Sequence, residues 1–202
     1  MSFWENTRKP VGLGGKLMVS LMNLGHSPVA WWGLRFLNVA PDAKVLDCGC
    51  GGGANIKRLL KKCPQGIVKG IDYSPVSVEK SQKVNADAIA KGRCTILQGS
   101  VAKRIFAEGW FDAVTAFETV YFWPELPQCF HEIHRMLKPG GMFLICNESS
   151  GDTDKDEKWT KIIDGMTIYK DVELKADLEQ AGFRDVQIHK NKWGWLCVTA
   201  RK

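Results

Sequence analysis

Residues 45–53 read Val-Leu-Asp-Cys-Gly-Cys-Gly-Gly-Gly, and no other stretch restricts the fold as strongly. An apolar pair runs into an acid, then into glycines at alternate positions, and a helical pattern follows from Ala54 to Leu60. A strand–loop–helix junction of this kind brings backbone close to a ligand. Glycine lacks Cβ and tolerates positive φ, and the first amides of the helix face the same crevice. A second acid, Asp72, ends the next apolar run, Ile67 to Ile71, where an α/β cofactor site places its ribose-binding carboxylate.

Strand patterns at 44–48, 67–71, 94–98, 111–117 and 142–147 alternate with helical patterns at 53–63, 75–91 and 125–137. That alternation requires a mostly parallel sheet covered by helices on both faces. Pro75 after Ser74 suits the first turn of a helix, and Pro139-Gly140-Gly141 stops another. After a helix near 171–181, strands at 184–190 and 193–200 are separated only by Asn191-Lys192, so they must pair as an antiparallel hairpin. The expected fold is α/β, Rossmann-like, with seven strands and a C-terminal hairpin.

A chain of 202 residues fits one domain, 1–202, in which 41–202 form the binding core and 1–40 a helical lid. Its composition, 45% hydrophobic and 25% charged, is that of an ordinary soluble protein. No apolar run approaches bilayer length and the start has no signal-like apolar core, so the expectation is a cytoplasmic protein with no membrane partner. The net charge of +6 is spread over many segments, with Lys61-Lys62 the only adjacent lysines, which suits a solvated surface rather than a nucleic-acid track. Seven cysteines, an odd number placed mostly in strands and helix faces, read as buried small hydrophobes rather than disulfides.

The spacing separates two cofactor readings. A dinucleotide loop is G-x-G-x-x-G without an internal acid, whereas this chain has Asp47-x-Gly49-x-Gly51-x-Gly53 with the acid first. This arrangement resembles the first motif of the class I S-adenosylmethionine-dependent methyltransferases. Gly70-Ile-Asp72-Tyr-Ser-Pro75 resembles that family's ribose turn, Phe111-Asp-Ala-Val-Thr-Ala-Phe117 its fourth strand, and Leu137-Lys-Pro-Gly-Gly141 the turn before its fifth. Leu178-Glu-Gln-Ala-Gly-Phe183 resembles its last helix with the terminating glycine, so the motifs run in family order over about residues 40–200. The resemblance implies S-adenosylmethionine as cofactor and an enzyme that transfers its methyl group. It places Gly49, Cys50 and Gly51 against the methionine and ribose portions, with Asp47 ordering the loop and meeting the ammonium. Asp72 would accept both ribose hydroxyls. Gly99, Ser100 and Val101 occupy the adenine turn, where Ser100 replaces the usual acid. Tyr73 either lies on the adenine face or caps the loop, and Phe117 closes the cofactor side of the fourth strand.

Methyl transfer from a sulfonium is an in-line displacement at carbon that needs position and a dry pocket more than an acid. The segment after the fourth strand, Glu118-Thr-Val-Tyr121-Phe-Trp123-Pro, lies where the methyl group should point. Its rings can exclude water and stabilise a cation. Glu118 is either a general base or a hydrogen-bonding partner for a loop. His26, in Gly25-His-Ser-Pro28, is either a second base or a capping residue. Trp4, Trp31, Tyr121, Trp123 and Tyr169 are candidates for the acceptor pocket, the alternative being ordinary packing. Cys129-x-His131-x-x-His134 has no matching cluster elsewhere, so no metal is expected. The acceptor is expected to be a small molecule. Protein or tRNA methylation and a non-catalytic S-adenosylmethionine-binding regulator are the alternatives, and the chain is a monomer or a homodimer.

Overall fold

A computed structural model describes residues 25–152 and 154–202. Its centre is a seven-stranded sheet in the order β3-β2-β1-β4-β5-β7-β6. The strands are β1 (Lys44–Cys48), β2 (Ile67–Asp72), β3 (Cys94–Gln98), β4 (Phe111–Phe117), β5 (Leu137–Asn147), β6 (Arg184–Lys190) and β7 (Leu196–Arg201). The first five pair in parallel, while β7 runs antiparallel to both β5 and β6. The helices are α1 (Ser27–Gly33), α2 (Ala54–Lys62), α3 (Pro75–Val84), α4 (Ala86–Ala90), α5 (Leu126–Met136), α6 (Asp154–Ile162) and α7 (Asp171–Gln180).

Each face of the sheet carries its own core. On one, Ile56, Leu59 and Val78 of α2 and α3 and Val29 and Ala30 of α1 pack against Val45, Val68, Ala113 and Leu144. On the other, Phe130, Ile133, Leu174 and Leu178 of α5 and α7 pack against Leu46, Val114, Phe143 and Val198. Burial on both faces explains why the central strands read as apolar runs rather than alternating patterns. All seven cysteines are free and buried, as their positions suggested. No helix among the described residues is long and apolar enough to cross a membrane.

Several boundaries differ from the sequence reading. The 75–91 helix is two helices. Asn85 interrupts it because its amide donates to Gly53 O at 3.1 Å and Ser81 O at 2.9 Å, tying the break to the glycine loop. β5 starts at Leu137 rather than at 142, so Lys138-Pro-Gly-Gly141 lies within the strand and does not separate it from α5. The hairpin turn spans residues 191–195 rather than two. Asn191 Oδ1 accepts from Trp193 N at 3.0 Å and Trp195 N at 3.2 Å and so orders the longer turn. Of the expected lid, residues 1–24, including Trp4, lie outside the described residues.

The chain runs outward from β1 to β2 and β3, then returns to add β4 on the other side of β1. Directly beyond that reversal the carboxyl ends of β1, β2 and β4 leave a crevice, the position at which open α/β sheets bind ligands.

Candidate functional site

The crevice is open to solvent. Its floor is the turn after β1. Gly49 N and Cys50 N both donate to Ile71 O, at 2.8 and 3.0 Å, which folds the turn over the end of β2. Gly49 has φ +72°, and a Cβ added there would lie 2.0 Å from Thr119 Oγ1. No other residue fits between the loop and the β4 end. Gly53 heads α2 in a left-handed conformation with no side-chain cap, and the first helical residues, Ala54 and Asn55, line the crevice. The amino end of α2 is therefore directed at the crevice.

Asp72 closes one end. Its Oδ2 accepts from Gly51 N and its Oδ1 from Ser74 N, both at 2.9 Å, so one carboxylate orders the glycine turn and the turn into α3 together. Burial raises its pKa, and the two amides pull it back. Ser74 caps α3 by accepting from Ser77 N, with Pro75 at the first helical position, as its sequence suggested. Tyr73, 40% exposed, lines the crevice beside Asp72, and its carbonyl accepts from Gln98 Nε2 at 3.1 Å.

The other end is formed by Phe117, Glu118, Thr119 and Phe122 from β4 and its following turn, with His26 and Val29 from α1. Two inter-strand spacings separate the β2 and β4 ends, about 10 Å. Glu118 has φ +56°. Its amide donates to Cys146 O at 3.0 Å, and its carboxylate accepts from Glu148 N. Burial pushes its carboxyl well above the usual range, and the neighbouring Glu148 pushes it further. His26 is held below its ordinary value by burial.

The structure thus brings Gly49, Cys50, Gly51, Asp72, Tyr73, Phe117, Glu118 and His26 onto one crevice. Other candidates lie elsewhere. Asp47 is 1% exposed behind the loop, where Oδ1 accepts from Thr115 Oγ1 at 2.7 Å, and burial raises its pKa to about 7. Gly99 N donates to Asp72 O, Ser100 Oγ accepts from Ala102 N, and Val101 is buried in the core. The adenine-turn candidates therefore adjoin the β2 end without lining the crevice.

Tyr121 is buried, its hydroxyl accepting from Ser149 N at 3.0 Å. Trp123 lies parallel to Phe143 with centroids 6.4 Å apart and donates from Nε1 to Thr119 Oγ1. Tyr169 packs against the same core. Trp123 and Tyr169 pack against the core behind the β4 end, whereas burial raises the pKa of the Tyr121 hydroxyl, which lies close enough to Glu118 and Glu148 for both to raise it further. Trp31 is 56% exposed, with the Arg58 guanidinium 5.5 Å from its ring. His131 and His134 belong to no metal-binding group among the described residues.

Arg58, Asn55 and Phe122 line the crevice although none was singled out in the sequence. Arg58 Nη2 donates to Ser27 Oγ at 2.5 Å and Nη1 to Asn55 Oδ1 at 2.7 Å, joining α2 to α1. Its position one turn into α2, on the face opposite Leu59 and Leu60, was the available signal. Glu148 was also missed, because nothing local marks the residue after β5 as a neighbour of Glu118.

Comparison with known proteins agrees with this geometry. A family model described as a methyltransferase domain matches residues 46–145. Cycloartenol-C-24-methyltransferase 1 of Oryza sativa subsp. japonica is 33% identical over 109 residues, 54% of this chain and 31% of that protein. Cycloartenol-C-24-methyltransferase of Arabidopsis thaliana is 30% identical over 159 residues, 73% of this chain and 46% of that protein. The chain spans less than half the length of these two relatives. A chain from the complex of a Haloferax volcanii methyltransferase activator with a methyltransferase superposes with a TM-score of 0.84 at 20% identity, covering 93% of both chains, which shows a common fold. With the domain match lying over the glycine loop, Asp72 and β4, and with the family's motifs in order along the chain, the chain belongs to the class I S-adenosylmethionine-dependent methyltransferases.

Proposed function

We propose that this protein binds S-adenosylmethionine in the crevice at the β1, β2 and β4 ends and transfers its methyl group to a small molecule with an apolar body. The observation that carries the reading is the joining of the Gly49–Gly51 turn to Asp72 through the Gly51 amide. Asp72 uses one lone pair on each oxygen for a backbone amide and keeps acceptor capacity for the two ribose hydroxyls. The methionine carboxylate meets the uncapped amino end of α2 and the Arg58 guanidinium, a pairing of helix dipole and fixed charge. Asp47, behind the turn, supplies the negative potential that the methionine ammonium requires. Tyr73 covers the adenine side.

The sulfonium methyl then points toward Phe117, Glu118, Phe122, Val29 and His26. Aromatic and aliphatic walls exclude water and favour a cationic centre, whether on sulfur or on an acceptor carbon. Glu118, His26 and Thr119 are polar side chains at that end, and the first two are ionisable. The plant relatives named as cycloartenol-C-24-methyltransferases support an apolar acceptor methylated at carbon.

Calorimetry with S-adenosylmethionine, its demethylated product and NADH tests the cofactor. The expected result is binding of the first two, with Asp72→Ala weakening it by roughly 1.5–3 kcal/mol per charge-assisted bond lost. Tight NADH binding without S-adenosylmethionine binding would overturn the reading. Transfer of labelled methyl to a panel of isoprenoid alkenes, phenols, amines and thiols then identifies the acceptor.

A further inference from the structure

We propose that His26, Glu118 and Glu148 form a binding site for one divalent first-row transition-metal ion at the acceptor end of the crevice. One ligating atom from each residue lies within 4.8 Å of the other two. A metal with N and O ligands at about 2.0–2.2 Å keeps those ligands roughly 3–4 Å apart, so a small side-chain adjustment closes the shell. The three residues come from separate segments: the turn before α1, the residue after β4 and the residue after β5. Their backbones are already fixed together, since Glu118 N donates to Cys146 O and Glu148 N donates to the Glu118 carboxylate.

Charge argues for an ion. Two half-buried carboxylates meet here, and among the described residues no lysine or arginine pairs with either. Such a pair needs a positive partner. A shared proton would satisfy the carboxylates but leave the imidazole without a role. A metal ion uses all three groups, and a neutral imidazole, the form that burial favours at His26, is the form that coordinates. One imidazole with two carboxylates suits Mn²⁺, Fe²⁺, Co²⁺ or Zn²⁺ better than Ca²⁺, which takes six or more oxygens.

Three protein ligands leave coordination positions open. On the methyltransferase reading, those positions take an oxygen of the acceptor and hold it before the sulfonium.

The test uses the purified protein, stripped with chelator and titrated with Co²⁺ and Mn²⁺ in the absence of S-adenosylmethionine. The expected result is one equivalent of Co²⁺ with visible d–d bands of a mixed N/O site, and one equivalent of Mn²⁺ by electron paramagnetic resonance. Glu148→Gln and His26→Ala should each weaken binding at least about tenfold, and His131→Ala combined with His134→Ala should leave it unchanged. Calorimetry with S-adenosylmethionine on every variant reports that the fold is intact. Binding unaffected by Glu148→Gln and His26→Ala, or lost in the His131/His134 variant, would overturn the site. So would absence of metal binding together with an infrared band of a protonated glutamic acid that Glu118→Gln removes, which would assign a shared proton instead. Metal binding without S-adenosylmethionine binding would sink the methyltransferase reading and leave the metal site standing.

Discussion

Asp47 is an ionisable group held at 1% exposure with one side-chain hydrogen bond, from Thr115. Burial raises its pKa to about 7, well above the ordinary carboxylate range. Between that range and the raised value the unfolded chain has lost a proton that the folded chain keeps, so this group's contribution to stability falls as pH rises through that window. Full ionisation in the unliganded protein costs on the order of 4 kcal/mol at pH 8. Asp47→Asn should therefore raise the unliganded melting temperature at pH 8 while changing it little near pH 4, and should weaken S-adenosylmethionine binding. Parallel melting-temperature curves for the two proteins from pH 4 to 8 would show that Asp47 is not strained. The glycines permit a sharper comparison. Gly49→Ala meets Thr119 at 2.0 Å as well as a left-handed backbone, whereas Gly51→Ala, at φ +50°, meets nothing within 4 Å. Gly51→Ala should cost about 1–2 kcal/mol in urea unfolding and Gly49→Ala clearly more. Equal losses would mean that the Thr119 contact yields freely. The loop's chemistry was legible as an acid followed by spaced glycines. The partners Thr115 and Thr119 were not, because both arrive through the packing of β4 beside β1, which no local pattern encodes.

At the level of elements, the 3₁₀ turn Val120–Phe122 decides which rings reach the ligand. Composition showed three large rings after Glu118 and suggested Tyr121 and Trp123 as pocket walls. The chain turns at the left-handed residue Glu118, and Phe122 lines the crevice, Trp123 packs against the core, and Tyr121 is buried with its hydroxyl at Ser149. A turn's hand sets which side chain goes where, and ring content alone does not carry that information. The Tyr121 hydroxyl accepts the Ser149 amide, joining the β4 turn to the segment after β5. Tyr121→Phe would leave that amide unpaired in a buried position and should destabilise by about 1–3 kcal/mol. Trp123→Ala, which empties a core position against Phe130 and Phe143, should cost about 3–5 kcal/mol. Denaturant unfolding measures both, and in each folded variant S-adenosylmethionine affinity should change less than in Asp72→Ala. A Trp123→Ala protein of full stability that fails in methyl transfer would restore the ring to the acceptor pocket. The mostly parallel sheet and its closing hairpin were legible because strand and helix patterns alternate along the chain and the short connection between the last two strands forces them to pair, whereas the strand order was not. The break at Asn85 and the early start of β5 were not, since both depend on hydrogen bonds to distant loops.

At the scale of the molecule, α1 is the one described element that covers the crevice from outside the sheet's own connections. Its carboxyl end is fixed: a Cβ added at Gly33 would come within 2.5 Å of Cys146 Sγ, so helix and β5 are in close contact. Its amino end is held differently. His26 offers no side-chain cap; Arg58 ties Ser27, and the Cys146 thiol donates to Val29 O at 3.5 Å. A seven-residue helix has little stability of its own and depends on such contacts. Arg58 also lines the cofactor crevice, so a ligand carboxylate that fixes the guanidinium fixes Ser27 through it. Closure of α1 and cofactor binding are then one coupled equilibrium. Hydrogen exchange at the Ala30 and Gly33 amides should slow when S-adenosylmethionine or its demethylated product is added. At a ligand concentration a hundredfold above Kd, the ceiling is about 2.7 kcal/mol, or roughly a hundredfold in rate, if opening requires ligand release. Ser27→Ala should lose most of that slowing while keeping cofactor affinity within a few-fold. The central amides of β7, far from the crevice, serve as the reference for global unfolding. Slowing at α1 no greater than in β7, or undiminished in Ser27→Ala, would make α1 fixed packing and place the closing element elsewhere in the chain.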